Sequence, residues 1–291
     1  MRDNSIILIA GGDMRQIYAA KELANKYKVY IYGFDDLKEN EDNITFITDL
    51  YDLPQKIGCL ILPLPVSSDG IFLNANYSDK KISTSSFGNF MRPDGIILGG
   101  RFTISTKELL KGYEIIDYSK REEFSVLNAV PTAEAAVKIA LENTESGLYR
   151  SKVLITGFGR ISKVLAKILS GFGCEITIAA RKASDLCWAE IFGYNCIHIN
   201  NLKSNCQSYD FIFNTVPAMI IDENIIKSLN PEVLIIDLAS KPGGTDFECA
   251  KKNNIKAIHS LSLPGIHFPI TAGKIIAQTS LNIIQERSNQ V

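Results

Sequence analysis

The chain has 291 residues, which is enough for two ordinary α/β domains. Hydrophobic residues make up 46% and charged residues 22%, as is typical of a globular protein, and a net charge of −1 gives no overall field that would favour nucleic acid or an anionic membrane. The six cysteines are scattered without a CxxC pair, and no apolar run approaches the roughly 20 residues of a membrane span, so we expect no metal site, no disulfide framework and no membrane-spanning segment.

Strands and helices alternate along the first part of the chain, in the pattern of a parallel sheet with right-handed crossovers. A buried strand over 5–10 leads through Gly11-Gly12-Asp13 into a helix over 14–26. The polar stretch 67–89 is predicted to be a long surface connection or a flap. Further strands are predicted at 28–32, 44–47, 59–62, 96–98 and 114–116.

The first glycine turn carries two polar residues with two open interpretations. Asp13 fits the N-cap of the following helix. Arg15, within the first helical turn, fits a bidentate contact with a substrate carboxylate. The single Gly-Gly step is not a dinucleotide fingerprint, so we assign no nucleotide there.

A domain junction is predicted around Pro131. This proline is expected to break the preceding structure, and Thr132 is expected to start a helix over 133–142 as its N-cap or first residue. Residues at the start of a helix between two domains can face the cleft. Thr132 and Glu134 are therefore candidates for substrate or cofactor contact, with capping alone as the equally open alternative.

The most informative stretch is 152–162, where a short apolar run leads into a glycine turn and helical periodicity follows. This strand–turn–helix order makes a Gly-rich turn a dinucleotide-binding hypothesis. Gly157 allows the sharp turn, and Gly159 allows the backbone to approach a pyrophosphate at the helix N-terminus. Ser162 occupies the third glycine position, where it is small enough for close packing but departs from the pattern.

The next predicted strand, 174–180, ends in Arg181-Lys182. An NAD enzyme places an acid about here for the ribose 2′-hydroxyl. Two cations suit a 2′-phosphate instead, so the expected cofactor is NADP. NAD stays possible because Arg181 can stack on adenine in either nucleotide.

The later strands exit into polar loops at positions where open α/β sheets bind ligands. These strands are predicted at 194–198, 209–213, 233–236 and 255–258, with a helix over 186–191. A final helix over 271–286 is apolar enough to pack back on the first domain. The predicted cofactor contacts are Gly157, Phe158, Gly159, Arg160, Ile161, Arg181, Lys182, Asn214, Thr215, Val216, Pro217, Leu238 and Ala239.

The predicted fold class is α/β, with two Rossmann-like doubly wound parallel-sheet domains and a cleft between them. Residues 1–130, completed by 271–291, are predicted to form the substrate-side domain. Residues 131–270 are predicted to form the NAD(P)-binding domain.

Motifs along almost the whole chain resemble the family of A-type subunits of dipicolinate synthase, found in endospore-forming bacteria. Where that family usually has alanine-proline-lysine, this chain has Phe268-Pro269-Ile270, so the family's lysine has no counterpart. The most specific match is the run 237–247, which a generic Rossmann enzyme does not need. The matching stretches are Gly11–Arg15, Asn128–Glu134, Thr156–Arg160, Ala179–Lys182, Asn214–Ala218, Asp237–Phe247, Leu263–Gly265 and Thr271–Gly273.

The resemblance implies NADP-dependent oxidation of 4-hydroxy-tetrahydrodipicolinate, or of the dihydrodipicolinate formed by its dehydration, to dipicolinate during sporulation. It implies that the partner is the flavoprotein-like B-type subunit of dipicolinate synthase, and it implies a homo-oligomer in the cytoplasm of the mother cell. A small dicarboxylate substrate needs fixed cations, and a ring proton needs a base. The substrate contacts expected are Arg15, Asp13, Arg101, Thr132 and Ser240, and the catalytic residues expected are Lys241 with His267 or Asp237 as the base.

Two other functions stay open on the sequence. One is a generic two-domain NAD(P) dehydrogenase of the 2-hydroxyacid or alanine dehydrogenase type, although no His–carboxylate or Lys–His constellation can be assembled here. The other is a non-catalytic NADP-binding protein that regulates a flavoprotein partner. Hydride transfer by the isolated chain separates these classes.

Overall fold

The computed structural model describes residues 6–35, 37 and 42–289. Ser5, the predicted first residue of the first strand, lies outside them. The chain divides into two compact units, one made of Met1–Asn128 with Phe268–Val291 and the other of Ala129–His267. Which unit takes substrate and which takes nucleotide stays a prediction.

The first unit contains a six-stranded parallel sheet in the order β3-β2-β1-β4-β5-β6. Its helices are α1 (Met14–Leu23) and α2 (Ile104–Leu109), with the start of α3 (Glu122–Glu142) and the C-terminal α9 (Pro269–Ser288). The strands are β1 (Ile7–Ala10), β2 (Val29–Tyr32), β3 (Ile44–Ile47), β4 (Ile57–Ile61), β5 (Met91–Gly99) and β6 (Glu114–Asp117).

The second unit contains another six-stranded parallel sheet, in the order β12-β11-β10-β7-β8-β9. Its strands are β7 (Lys152–Thr156), β8 (Glu175–Ala180), β9 (Asn195–His198), β10 (Phe211–Asn214), β11 (Leu234–Asp237) and β12 (Lys256–His259). Its helices after α3 are α4 (Arg160–Gly171), α5 (Ala183–Ile191), α6 (Glu223–Ile226), α7 (Phe247–Lys252) and α8 (Leu263–His267).

Both sheets have the same order when their strands are counted within each unit. The first strand lies centrally between the second and the fourth, which is the 3-2-1-4-5-6 arrangement of doubly wound dinucleotide-binding folds. The predicted α/β class is confirmed, and each predicted strand lies within a few residues of an observed one. In the second unit the topological switch point falls between β7 and β10, where such folds bind ligands.

The C-terminal helix α9 packs against α1 in the first unit, as predicted from its apolar positions. Gly273 lies so close to α1 that a Cβ built there would be 2.5 Å from the carbonyl oxygen of Arg15. Ile276, Ile283 and Ile284 are buried in the same core. The helix therefore completes the first unit.

The prediction that Pro131 breaks a helix is wrong. Helix α3 runs continuously from Glu122 to Glu142 with Pro131 inside it. A proline there removes the N–H that would bond to the carbonyl of Leu127, at a cost of roughly 3 kcal/mol. Burial of the alanine-rich face that includes Ala133 and Ala136 offsets this cost. Thr132 consequently lies in the helix interior and is not an N-cap.

Helix α3 is also long and apolar enough to cross a membrane, by length and composition only. Buried core helices pass the same test, and 56% of its most apolar window is buried. The finding therefore gives little support to a membrane span.

The stretch 67–89 is held against the sheet and is not a free flap. The N–H of Gly12 donates to the carbonyl of Asn74 at 2.7 Å, and Phe34 and Tyr77 form a further parallel bridge. Leu73 and Phe87 are buried. The stretch is mostly polar, but its backbone contacts and its buried apolar residues hold it at the carboxyl ends of β1 and β2.

Candidate functional site

The turn between β7 and α4 has the backbone geometry that a dinucleotide site requires. Gly157 has φ +82°, and a Cβ there would lie 2.9 Å from both Thr215 Oγ1 and Val216 Cγ2. Only glycine fits such a position without strain. Gly159 is the N-cap of α4 and makes no side-chain cap bond, and a Cβ there would have no neighbour within 4 Å. This 12-residue helix is therefore preceded by an exposed residue with free space where a side chain would stand.

Ser162, at the third glycine position, has a structural reason to be serine. Its side chain is buried, and its Oγ lies 2.8 Å from Thr215 Oγ1. Because Thr215 Oγ1 donates its own proton to the carbonyl of Thr156 at 2.7 Å, Ser162 must be the donor in the first bond. The departure from the glycine pattern thus ties α4 to the exit of β10 and to the end of β7.

The other residues of the turn differ in what they can offer a nucleotide. Phe158 is buried, with its ring 6.1 Å from that of Phe192 and 6.3 Å from that of Tyr194. Its side chain belongs to the core, so only its backbone is available to a ligand. Arg160 is exposed and Ile161 is half-buried at the start of α4.

The two predicted 2′-phosphate ligands follow the strand next to β7. Thr156 at the end of β7 pairs with Ala179 of β8, and Arg181 and Lys182 come directly after β8. Both side chains are exposed. The carboxyl ends of parallel strands meet at one edge of a sheet, so the cations lie on the same edge as the glycine turn.

Four neighbouring strands of this sheet, β7, β10, β11 and β12, end in a polar residue, and these residues form one continuous row. Thr156 pairs with Asn214, Asn214 with Asp237, and Asp237 with His259. Thr156 Oγ1 donates to Asn214 Oδ1, and Asn214 Nδ2 donates to Asp237 Oδ1 at 2.9 Å. Asn214 and Asp237 are fully buried. We refer to Thr156, Asn214, Asp237 and His259 as the polar row.

The side chain of Asn214 is wholly engaged within the protein. Besides its partners in the row, its Oδ1 accepts from the N–H of Val216 and its Nδ2 donates to the carbonyl of Val216, both at 3.1 Å. If Asn214 or Thr215 contacts the cofactor as predicted, the contact must therefore be made by backbone atoms or by an accessible part of Thr215. Val216 is half-buried and Pro217 is exposed in this exit.

The loop after β11 is anchored at both ends by Asp237. Its Oδ1 accepts from the N–H of Ala239 at 2.9 Å, and its Oδ2 accepts from the N–H of Gly244 at 2.8 Å. Leu238 and Ala239 at the stem are buried, whereas Ser240 and Lys241 at the tip are exposed. The catalytic assignment of Asp237 stays a prediction, but a fully buried carboxylate with three donors is better suited to holding this loop than to taking a proton.

Sequence reasoning named His267 as a candidate base and placed it on a loop. The structure instead makes it the last residue of the short helix α8. His259 was missed as a site residue, although its Nε2 lies 2.9 Å from the carbonyl oxygen of Ala239 and its ring stacks on Phe247 with centroids 5.2 Å apart. The available signal was the polar residue at the end of each of four neighbouring strands.

The predicted substrate residues of the first unit lie after β1 and β5. Asp13 caps α1 by accepting from the N–H of Arg15 at 3.0 Å, so the capping interpretation is confirmed. Arg15 Nε donates to Asp13 Oδ1 and Arg15 Nη2 to Asp13 Oδ2, both at 2.8 Å. Burial opposes charging of Arg15, yet the contact with Asp13 keeps the arginine pKa above its usual value. A substrate carboxylate would have to compete with Asp13 for the edge of the Arg15 guanidinium that carries Nε and Nη2.

Arg101 and Thr132 differ sharply in exposure. Arg101 is exposed with φ +56°, and its N–H donates to Asp117 Oδ1 at 3.2 Å and to Ser119 Oγ at 3.3 Å. Thr132 is buried within α3. The geometry therefore favours Arg101 over Thr132 as a residue that can reach a ligand.

Each of the two units matches a known protein family. Residues 6–118 match the family described as the N-terminal domain of the dipicolinate synthase A-type chain. Residues 131–240 match the family described as D-isomer specific 2-hydroxyacid dehydrogenase, NAD binding domain. The second match supports a nicotinamide dinucleotide as cofactor and a dehydrogenase-like role for the chain.

Three matches along nearly the full length are A-type chains of dipicolinate synthase. The dipicolinate synthase A-type chain of Bacillus subtilis (strain 168) is 28% identical over 292 residues, which covers 96% of each chain. The crystal structure of dipicolinate synthase, A chain, from Bacillus subtilis superposes with a TM-score of 0.90 at 27% identity, covering 100% of this chain and 99% of the other. That of the corresponding chain from Bacillus halodurans gives 0.87 at 25% identity, covering 96% and 97%. Together with the match of the N-terminal unit, these similarities show that the chain resembles A-type dipicolinate synthase chains along nearly its whole length.

Proposed function

We propose that this protein oxidises dihydrodipicolinate, or the 4-hydroxy-tetrahydrodipicolinate that yields it by losing water, to dipicolinate with NADP⁺ as hydride acceptor. The observation that carries the proposal is the N-terminus of α4, which is preceded by the exposed Gly159 and lies at the same edge of the sheet as the exposed Arg181 and Lys182. A helix N-terminus that follows an exposed glycine suits a pyrophosphate.

The residues at this edge of the sheet fit the proposed cofactor. Gly157 and Gly159 allow the close backbone approach, and α4 directs its first N–H groups and positive dipole end toward the same space. Val216 and Pro217 from one exit and Leu238 and Ala239 from the next are the proposed contacts for the nicotinamide half. When bound, the nicotinamide supplies the acceptor for one hydride.

Arg181 and Lys182 are the proposed ligands of the 2′-phosphate. Both are exposed and follow the strand adjacent to the glycine turn, where an acid would select NAD. A guanidinium can bind phosphate through two parallel hydrogen bonds, and the lysine adds a second charge. Preference for NADP over NAD therefore rests on these two side chains.

Replacing Arg181 by Asp and Lys182 by Ala together should weaken NADPH binding by about a hundredfold and NADH binding by less than about threefold, because only NADPH has the 2′-phosphate to lose its charged partners. Fluorescence titration of the two reduced nucleotides measures this. The control is Lys251→Asp with Lys252→Ala, which makes the same charge change on exposed residues at the end of α7. Equal losses for both nucleotides in the Arg181/Lys182 variant would contradict the 2′-phosphate assignment.

The substrate is proposed to be a small dicarboxylate held by cations at strand exits. Lys241 is exposed at the tip of the loop after β11, and Arg15 and Arg101 follow β1 and β5. His267 is the remaining proposed base for the ring proton, because Asp237 is fully buried and its oxygens already accept three hydrogen bonds. Asp13, Thr132 and Ser240 are kept as proposed substrate contacts, of which Ser240 is exposed on the same loop as Lys241.

Lys241→Ala should reduce turnover about tenfold or more while NADPH affinity changes by less than about threefold, since the loop stem and not its tip is assigned to the cofactor. Initial rates and a nucleotide titration give the two quantities. Lys252→Ala, a change of another exposed lysine in the same unit, should alter neither. If Lys241→Ala instead abolishes NADPH binding, the tip of the loop binds the cofactor and the assignment to turnover is wrong.

The proposed setting is a homo-oligomer that works with the flavoprotein-like B-type chain of dipicolinate synthase in the cytoplasm of the mother cell of a sporulating bacterium. The full-length relative is named as one subunit of a synthase, which supports the existence of a partner. The alternative function is a nucleotide-binding protein that regulates this partner, favoured by the absence of an accessible acid–base pair in the polar row, whose Asp237 and Asn214 are buried. Hydride transfer by the isolated chain distinguishes the two.

A further inference from the structure

We infer that Asp237 is a positioning residue, which sets the loop that carries Lys241 by fixing Gly244 and Ala239 against the exit of β10. This inference rests on the proposed function of that loop and concerns how its geometry is produced. It replaces the expectation that Asp237 acts as the base.

The carboxylate connects three segments of the chain with two oxygens. Oδ1 accepts from Asn214 Nδ2 and from the N–H of Ala239, both at 2.9 Å. Oδ2 accepts from the N–H of Gly244 at 2.8 Å. The first oxygen therefore fixes the start of the loop to β10, and the second fixes its end.

Gly244 lies in close contact with the end of β10 and the segment that follows it. A Cβ there would lie 2.5 Å from Asn214 Nδ2, from the carbonyl of Val216 and from the carbonyl of Ala218. The carbonyl of Gly244 in turn accepts from the N–H groups of Ile220 and Ile221, both at 2.9 Å. The end of the loop is thus hydrogen-bonded to the segment that follows β10.

His259 also holds the stem of the loop. Its Nε2 lies 2.9 Å from the carbonyl of Ala239, and its ring stacks on Phe247 at the start of α7. Because a carbonyl only accepts, His259 must carry its proton on Nε2 to make this bond. The stem of the loop is therefore held through both the N–H and the carbonyl of Ala239, while Ser240 and Lys241 are exposed.

The arrangement needs a carboxylate and not merely a polar residue. Burying an ionised group is costly unless its hydrogen-bonding capacity is filled. An amide has only one acceptor oxygen. That oxygen can accept hydrogen bonds either from Asn214 and Ala239 or from Gly244, but not from all three donors. The presence of a fully buried carboxylate here is explained by the two loop ends that it holds together.

The experiment is Asp237→Asn, which keeps the size of the side chain. With its oxygen in place of Oδ1, its NH2 group faces the N–H of Gly244, so the bond at the loop end is lost selectively. The matched control is Asp210→Asn. Asp210 Oδ2 also accepts from a backbone amide, that of Lys152 at 2.7 Å, but it lies at the opposite end of β7 and β10.

We expect Asp237→Asn to raise the amide exchange rate of Gly244, measured by NMR, about tenfold or more, since bonds to charged acceptors are the stronger ones. The turnover number should fall about tenfold or more with less than about threefold change in the NADPH dissociation constant. The pH dependence of turnover should keep its shape, because the base is still present. Asp210→Asn should leave turnover unchanged.

Unchanged exchange of Gly244, faster exchange with full turnover, or loss of one limb of the pH profile would overturn the inference. Should Asp237→Asn fail to fold, Gly244→Ala keeps the carboxylate but pushes the loop end away from Asn214, and it should give the same turnover and affinity pattern. Failure of the wild-type chain to bind NADPH would count against the proposed function alone, because the exchange rates still report whether Asp237 holds the loop.

Discussion

Two glycines separated by one residue make different contributions to the same turn. Gly157 has a positive φ and no room for a Cβ, because Thr215 and Val216 press against it. Gly159 has φ −83° and open space around it. The first glycine is therefore required by the protein itself, and the second only by whatever approaches the helix N-terminus.

Gly157→Ala should lower the free energy of unfolding by about 1–3 kcal/mol, the usual cost of a side chain in a sparsely populated backbone region. Gly159→Ala should leave stability almost unchanged but weaken NADPH binding about tenfold, since its methyl group intrudes only on a bound ligand. Thermal unfolding and nucleotide titration of both variants measure the two effects. A stable Gly159→Ala protein with normal affinity would show that the pyrophosphate does not rest on this turn.

Single residues also show where sequence reasoning stops. The glycine positions of the turn were predictable because each has a known steric reason. Ser162 was recognised only as a departure, since its bond to Thr215 joins residues 53 apart in sequence. Likewise Asp237 was predicted as a candidate base, and only the register of neighbouring strands revealed its hydrogen-bond partners.

At the scale of elements, α1 and α9 depend on a close approach at Gly273. The carbonyl of Arg15 and the Cβ of Tyr18 would lie 2.5 and 2.6 Å from an added Cβ. Backbone cannot move aside as a flexible side chain can. The small residue therefore determines how tightly the C-terminal helix closes the first unit.

Gly273→Ala should destabilise the protein by about 1–3 kcal/mol, as overpacking usually does. Gly171→Ala is the matched control, because Gly171 also lies in a helix and a Cβ there has no neighbour within 4 Å. That control should be neutral or stabilising by up to about 1 kcal/mol through helix propensity. Denaturant unfolding of both variants measures the difference, and equal stabilities would refute the close-packing account.

The strands were the most predictable elements, since buried parallel strands are short continuous apolar runs bounded by glycine and polar residues. Helix α3 was the main error. Proline is a strong local signal, and only tertiary burial of the alanines around it reveals why the helix continues. The stretch 67–89 shows the same limit, because its bridge between Gly12 and Ala75 is invisible to local pattern.

For the whole molecule, two units with the same strand order raise the question of which one holds a nucleotide. The second unit has the glycine turn, the open helix N-terminus and the cation pair on one sheet edge. In the first unit, Asp13 caps α1, and Arg15 is turned onto that carboxylate. Shared topology therefore does not imply a shared ligand, since function depends on the residues at the strand exits.

The central claim is that a hydride passes from the dicarboxylate substrate to the nicotinamide, and isotope transfer tests it most directly. Dihydrodipicolinate carrying deuterium on its saturated ring carbons is supplied with NADP⁺ to the purified chain, with and without the proposed flavoprotein-like B-type partner. The NADPH is then analysed by mass spectrometry. We expect one deuterium in NADPH for each dipicolinate formed by the chain alone. Dipicolinate that appears only with the partner, with NADPH free of deuterium, would contradict the claim and make this chain a nucleotide-binding regulator.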